Sequence, residues 1–209
     1  MTNPKQLLIM AGGASSRMKK SLAQHDLDPS TLQIAQKHHK CLIPVGEQQL
    51  PLLYYHLLQA KRVGVTKVFI ITPEENQGFY DFLAQENIKT TFASISIKLI
   101  QQQLPAGAKK PLGTADAVQQ ALDKAPALRD GSFVVMNGDN VYSVKSLDAL
   151  FSLATPQNAL IGYDQEGLNF SSERIQKFAI LKVNKEGFLT AIIEKPSKEV
   201  MNTARDTTN

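Results

Sequence analysis

Apolar residues in this chain come in short runs that switch between two periods. Gln6–Met10 (QLLIM), Lys67–Thr72 (KVFIIT) and Phe133–Asn137 (FVVMN) are continuous or nearly continuous apolar stretches, each followed within two residues by glycine or proline. Runs of that length, apolar on both faces, predict buried parallel strands. Ser94–Gln101 (SISIKLIQ) alternates and predicts a further strand. The segment PLLYYHLLQAKRVG places Leu53, Leu57, Leu58 and Ala60 at helical spacing, with Pro51 suited to the first turn and Gly64 to the exit. Helices are also predicted from Gly78 (GFYDFLAQ), from Gly113 (GTADAVQQALDKA, with Thr114 as N-cap) and from Ser146 (SLDALFSLA). Asn158–Tyr163 (NALIGY) reads as extended, and the polar stretch Ser21–Gln36 as a loop or short inserted helix.

The last third changes character. KFAILKV and FLTAIIEKP flank the polar turn NKEG, which predicts a β-hairpin. The expected fold is therefore α/β: a Rossmann-like, mixed and mostly parallel sheet flanked by helices on both faces, with an antiparallel hairpin near the end. We read residues 1–209 as one domain, with a first part to about residue 165 and a second from there on. Open sheets of this kind bind ligands at the carboxyl ends of their strands. Three strand ends carry suggestive residues: Gly12–Gly13, Gln101–Gln103 and Gly138–Asp139.

Composition narrows the setting. The 209 residues are 43% hydrophobic and 20% charged, ordinary for a globular protein. No apolar run approaches the ~20 residues that span a bilayer, so no membrane partner is expected. The amino terminus is polar and shows no signal-peptide pattern. A single cysteine, Cys41, rules out an internal disulfide framework and points to a reducing, cytoplasmic compartment; it reads as a small buried residue. The net charge of +4 suits anionic small molecules or nucleic acid and by itself does not decide between them. The basic residues sit in scattered pairs (Lys19–Lys20, Lys61–Arg62, Lys109–Lys110) without aromatic interleaving, so no nucleic-acid partner is expected.

The candidate chemistry lies in four places. The turn AGGASSR is neither a Walker A loop nor a dinucleotide fingerprint, since Gly-Lys-Ser/Thr and Gly-x-Gly-x-x-Gly are both absent. Its adjacent glycines could present amides to a phosphate while Arg17 grips the oxygens; a tight strand-to-helix turn is the plainer alternative. In NGDNVY, Asp139 follows a strand and suits a hard cation, or an Asx-type turn. In IIEKP, Glu194 and Lys195 end an apolar strand and point to opposite faces. Lys40 precedes the apolar segment CLIPVG, which would anchor it, and the adjacent His38 and His39 lack the spacing of metal ligands on a helix.

Taken in order, these segments resemble the sugar-1-phosphate nucleotidylyltransferases. That family opens with Leu-Ala-Gly-Gly-x-Gly-Thr-Arg and a later lysine before an apolar-Pro-apolar segment, matched here by IMAGGASSR and KCLIPVG. Its glutamine followed by Gly-Thr-Ala-x-Ala resembles QQQLPAGAKKPLGTADAV, its Gly-Asp-Asn strand end resembles VVMNGDNVY, and its Glu-Lys-Pro resembles IIEKP. The resemblance implies an enzyme that joins a nucleoside triphosphate, UTP or dTTP favoured, to a sugar 1-phosphate with Mg²⁺ as cofactor. It implies that Ala11, Gly12 and Gly13 cradle the nucleotide, that Arg17 binds the outer phosphates and that Lys40 neutralises them in the transition state. Gln102, with Gln103 as the alternative, would read the base beside the backbone of Gly113. Asp139 would ligate the metal, Glu194 the sugar hydroxyls and Lys195 the sugar phosphate. The part up to about residue 165 would then be nucleotide-binding, and the remainder the start of the sugar-phosphate side. Assembly into a homo-oligomer is left open.

Three departures stand out. Ser15 replaces the third glycine, which makes GGASSRM similar to the opening of molybdenum-cofactor guanylyltransferases, the runner-up; a non-catalytic nucleotide-binding relative is a further alternative. Phe178–Ala179 stands where relatives carry Tyr-Gly. The family pattern continues past Glu-Lys-Pro to a second metal-binding aspartate, whereas thirteen residues follow Pro196 here and Asp206 lacks the expected Asp-x-Gly surroundings. An incomplete sugar side is the expectation.

Overall fold

A computed structural model describes residues 4–13, 15–22, 28–108, 111–153, 157–197 and 199–200, with the side chains of Ser16, Arg17 and Ser172 outside that set. The chain divides into two compact units, Met1–Asn158 and Ala159–Asn209. In the first, β1 (Gln6–Met10), β4 (Lys67–Thr72), β5 (Ser96–Gln101) and β6 (Phe133–Asn137) form a parallel sheet in the order β5-β4-β1-β6. A two-residue antiparallel pair, β2 (Pro44–Val45) with β3 (Leu50–Pro51), leads into helix α3 (Leu52–Arg62).

The side-chain alternation of a strand sorts the core into two layers. Leu7 and Ile9 of β1, with Val68 and Ile70 of β4 and Met136 of β6, face Leu53, Leu57 and Ala60 of α3. Phe79 and Phe82 of α4 (Gln77–Ala84), Ile88 of α5 (Glu86–Thr91) and Leu147 of α7 (Val144–Phe151) complete that layer. Leu8, Phe69, Ile71 and Ile100 point the other way, against Ala117 and Ala121 of α6 (Thr114–Lys124) and against Leu128. Sandwiched this way, β1 buries four of its five residues, which is why its sequence is apolar without alternation.

Several sequence expectations shift by a residue or two. Gly113, not Thr114, is the N-cap of α6, at φ 134°, a backbone angle that a side chain resists. In α3 His56 is buried with Leu53, Leu57 and Ala60, and Leu58 is only half-buried. The strand Phe133–Asn137, expected to be buried, is a sheet edge with Val135 exposed. Part of the polar stretch after the glycine turn is helical: α2 (Pro29–Lys37) starts where the Asp28 carboxylate accepts from the amides of Ser30 and Thr31, both at 3.0 Å, with Pro29 in the first turn. The glycine turn itself opens α1 (Ser16–Ser21).

Asn158–Tyr163, where the second unit begins, lies in no strand among the described residues. A one-turn helix α8 (Ser172–Ile175) precedes the hairpin of β7 (Ile180–Val183) and β8 (Leu189–Ile193), which is a separate two-stranded sheet. Asn184 closes its turn, its side-chain oxygen accepting from the Phe188 amide at 2.8 Å. No helix among the described residues is long and apolar enough to cross a membrane.

Leu57 is fully buried between α3 and the sheet. Its replacement by alanine is expected to cost about 2–5 kcal/mol, whereas Leu112→Ala, at a residue 71% exposed, should stay within about 0.5 kcal/mol. Urea denaturation followed by circular dichroism checks both.

Candidate active site

The strand order reverses direction at β1. From β1 the chain moves outward through β4 to β5, then crosses back to lay β6 on the other side of β1. A crevice opens beyond the carboxyl ends of strands at such a reversal, and the loops leaving β1 and β6 carry Gly12–Gly13 and Gly138–Asp139. These two loops touch through their backbones. The Gly138 amide donates to the Met10 carbonyl at 2.9 Å, and a Cβ on Gly138 would lie 3.1 Å from that same oxygen. A side chain at Gly138 would crowd the Met10 carbonyl and need a shift of a few tenths of an ångström.

Lys40 is brought in by a short 3-10 turn, Lys40–Leu42, whose Cys41 and Leu42 side chains are buried in the core. That anchor is the one expected from CLIPVG. The Lys40 amide donates to Ser15 Oγ at 3.2 Å, and its ammonium forms an ion pair with the Asp139 carboxylate. Asp139 uses one oxygen for this pair and takes no other hydrogen bond from the described residues. Ser15 sits at φ 53° and ψ 20°, the left-handed conformation that the third glycine of the resembled pattern would adopt freely. Burial pushes the Cys41 thiol up to about 12, so it stays a protonated, unreactive packing residue.

Two histidines hold the glycine loops, in roles that no local sequence pattern announces. His39 places Nε2 2.7 Å from the Gly13 carbonyl while Nδ1 accepts from the Cys41 amide at 3.3 Å. His56, on α3 and 1% exposed, places Nε2 3.1 Å from the Gly138 carbonyl, and its Nδ1 has no hydrogen-bond partner among the described residues. A carbonyl can only accept, so each Nε2 carries the proton. Desolvation lowers both pKa values, His39 partly offset by its bond to Gly13 and His56 by its bond to Gly138 and by the Asp139 charge. Both rings are therefore neutral donors.

Of the three glutamines that end and follow β5, Gln102 is buried at 5% exposure, while Gln101 and Gln103 are exposed. Its Nε2 donates to the Asp116 carboxylate on α6 at 3.2 Å, which leaves its side-chain oxygen lying against Gly12, where any Cβ would overlap it. Gln120, also on α6, clamps the Gln103 backbone in both directions, at 2.7 and 3.0 Å. Ala11 is buried, with its amide donating to Ile71 O at 2.8 Å. Gly113 caps α6, the helix that bears Asp116.

Ala11, Gly12, Gly13, Lys40, Gln102 and Asp139 thus lie at the carboxyl edge of one sheet, and Gly113 begins the helix that positions Gln102. The backbone of Arg17 lies in α1, and its side chain is outside the described residues, as are Lys109, Lys110 and Asp206. Glu194 and Lys195 are exposed and follow β8 in the second unit, Lys195 at φ 47°. Among the described residues no three His, Cys, Asp or Glu side chains gather to make a metal centre. A lone carboxylate of the Asp139 kind still suits Mg²⁺, which characteristically takes one or two protein carboxylates and draws its other oxygens from phosphates and water.

A profile of the family described as nucleotidyl transferase matches residues 6–207. No curated protein matches the chain in sequence. Two solved structures share the fold. One, of UDP-glucose pyrophosphorylase complexed with UDP-glucose, is 15% identical with a TM-score of 0.57, over 94% of this chain and 70% of that one. The other, a protein from Bacillus anthracis assigned as a glucose-1-phosphate thymidylyltransferase and complexed with sucrose, is 22% identical with a TM-score of 0.54, over 92% of this chain and 65% of that one.

Because His56 is harder to protonate in the folded chain than its ordinary value of 6.5, the unfolded chain takes up the proton first as pH falls. Its contribution to stability is complete above about pH 6.5 and is lost below it. Unfolding free energy should therefore fall from pH 6.5 to 5. His56→Gln, which keeps an N–H but cannot titrate, should flatten that slope, with His39 supplying the remainder; urea melts across the pH series read the difference.

Proposed function

This chain belongs to the nucleotidyl transferase family, and we propose that it transfers a nucleoside monophosphate from a nucleoside triphosphate, UTP or dTTP preferred, to a sugar 1-phosphate. The observation that carries the reading is the Lys40–Asp139 ion pair, set where the loops of β1 and β6 meet. Its partners come from positions 99 residues apart and are about one-third exposed. An ion pair so exposed adds little stability. A cation and a hard carboxylate beside a glycine loop suit a polyphosphate and its metal.

The reaction needs no general base. A sugar 1-phosphate is largely dianionic at neutral pH, its second pKa being about 6. One of its oxygens attacks the α-phosphorus; the new P–O bond forms as the bond to the bridging oxygen of the leaving group breaks, and pyrophosphate carries away the electron pair. The obstacle is electrostatic repulsion between two anions, and the protein's part is to place them in line and neutralise charge. Ala11, Gly12 and Gly13 line the triphosphate, Arg17 and Lys40 neutralise it, and Gln102 beside Gly113 meets the base. Asp139 would hold Mg²⁺, which when bound offsets phosphate charge. Glu194 and Lys195 of the second unit take the sugar hydroxyls and sugar phosphate. The single buried, unreactive cysteine suits a cytoplasmic setting.

Pyrophosphate release across a panel of nucleoside triphosphates and sugar 1-phosphates tests the proposal. Turnover should require both substrates and Mg²⁺ and be fastest with UTP or dTTP. Nucleotide binding without turnover for any pair would point to a non-catalytic relative. Asp139→Asn should cut kcat at least 100-fold with a smaller loss of triphosphate affinity, measured by calorimetry. Undiminished turnover in that variant would remove Asp139 from the metal site.

A further inference from the structure

We infer that His39 is a positioning residue that sets the spacing between the glycine loop and Lys40; this rests on the transferase reading above. His39 is half-buried and every polar contact of its ring is spoken for. Nε2 donates to the Gly13 carbonyl at 2.7 Å, and Nδ1 faces the Cys41 amide at 3.3 Å and its sulfur at 3.1 Å. The ring packs on Phe79, centroids 5.3 Å apart, and Phe79 is itself buried in the core. The imidazole therefore ties the Gly13 backbone to its own segment, 26 residues further along the chain. One end grips the loop after β1; the other end starts the 3-10 turn in which Lys40 is the first residue.

A second bond runs parallel to it. The Lys40 amide donates to Ser15 Oγ, so residues 39–40 are fastened to the loop at Gly13 and at Ser15. The Ser15 link is a single bond of 3.2 Å from a residue held at φ 53°, a left-handed conformation that is unfavourable outside glycine. The shorter His39 bond is the firmer of the two. Without it, the Lys40 ammonium and the loop amides can move apart while Cys41 and Leu42 stay anchored in the core. Lys40 is needed at a defined point when charge develops on the transferring phosphate, and a displacement of an ångström there is costly. Placement through His39 acts on turnover rather than on ground-state binding of the sugar phosphate.

Two replacements separate positioning from bulk. His39→Phe keeps the ring on Phe79 and removes both nitrogens. His39→Gln keeps an N–H within reach of the Gly13 carbonyl. In the whole protein, His39→Phe should lower kcat at least tenfold with the KM for sugar 1-phosphate changed less than threefold, and His39→Gln should restore kcat to within about threefold. Hydrogen exchange at the Lys40 amide, followed by NMR without substrate, gives a readout independent of turnover. It should quicken at least tenfold in His39→Phe and at most threefold in His39→Gln, with exchange in the β4 amides unchanged as the sign that the fold persists. Unaltered exchange at Lys40 in His39→Phe, or a Gln variant as impaired as the Phe variant, overturns the inference. If the wild-type protein turns over no substrate pair yet shows the exchange pattern, the transferase reading fails and the His39 link stands.

Discussion

At the carboxyl edge of a parallel sheet the strands run out of ladder partners, and peptide groups that remain shielded from water must find others. Here they find them across strands. The Ala11 amide reaches the Ile71 carbonyl at 2.8 Å, the Gly138 amide the Met10 carbonyl at 2.9 Å and the Gln102 amide the Thr72 carbonyl at 2.9 Å. The carbonyls of Gly13 and Gly138 turn outward to His39 and His56. Each bond ties the end of one strand to a different segment, so satisfying the backbone and arranging the loops are one event. The loops that follow β1, β5 and β6 owe their arrangement to this constraint before any substrate is considered.

Charge is laid over that frame sparingly. Asp116 faces the neutral amides of Gln102 and Gln120, which leaves the Lys40–Asp139 pair as the charge contact between the loops of β1 and β6 among the described residues. The histidines, kept neutral by desolvation, add hydrogen bonds without adding positive charge. The pocket's rigidity and its electrostatics thus come from different side chains.

The parts of this design that were readable in the sequence are those that repeat a local pattern. QLLIM and KVFIIT sit between two helical layers, so burial on both faces is written as a continuous apolar run. The hairpin announces itself through NKEG, and Lys40 through the apolar anchor that follows it. What could not be read depends on neighbours distant in the chain. His56 looks like a helix-surface residue until a carbonyl 82 residues later meets it, and Asp116 is an ordinary first-turn acid until Gln102 reaches it from another loop. Asn158–Tyr163 has strand composition yet lies in no sheet among the described residues. FVVMN looks fully buried because its composition carries no mark of lying at a sheet edge.

The bond from Gln102 to Asp116 also fixes a polarity. An amide offers a donor at one end and an acceptor at the other, and on its own it can rotate to present either. An ionised carboxylate accepts only, so Asp116 claims the NH₂ end and the oxygen is left beside Gly12. A helix behind the strand ends thereby decides that the group facing Gly12 is a hydrogen-bond acceptor.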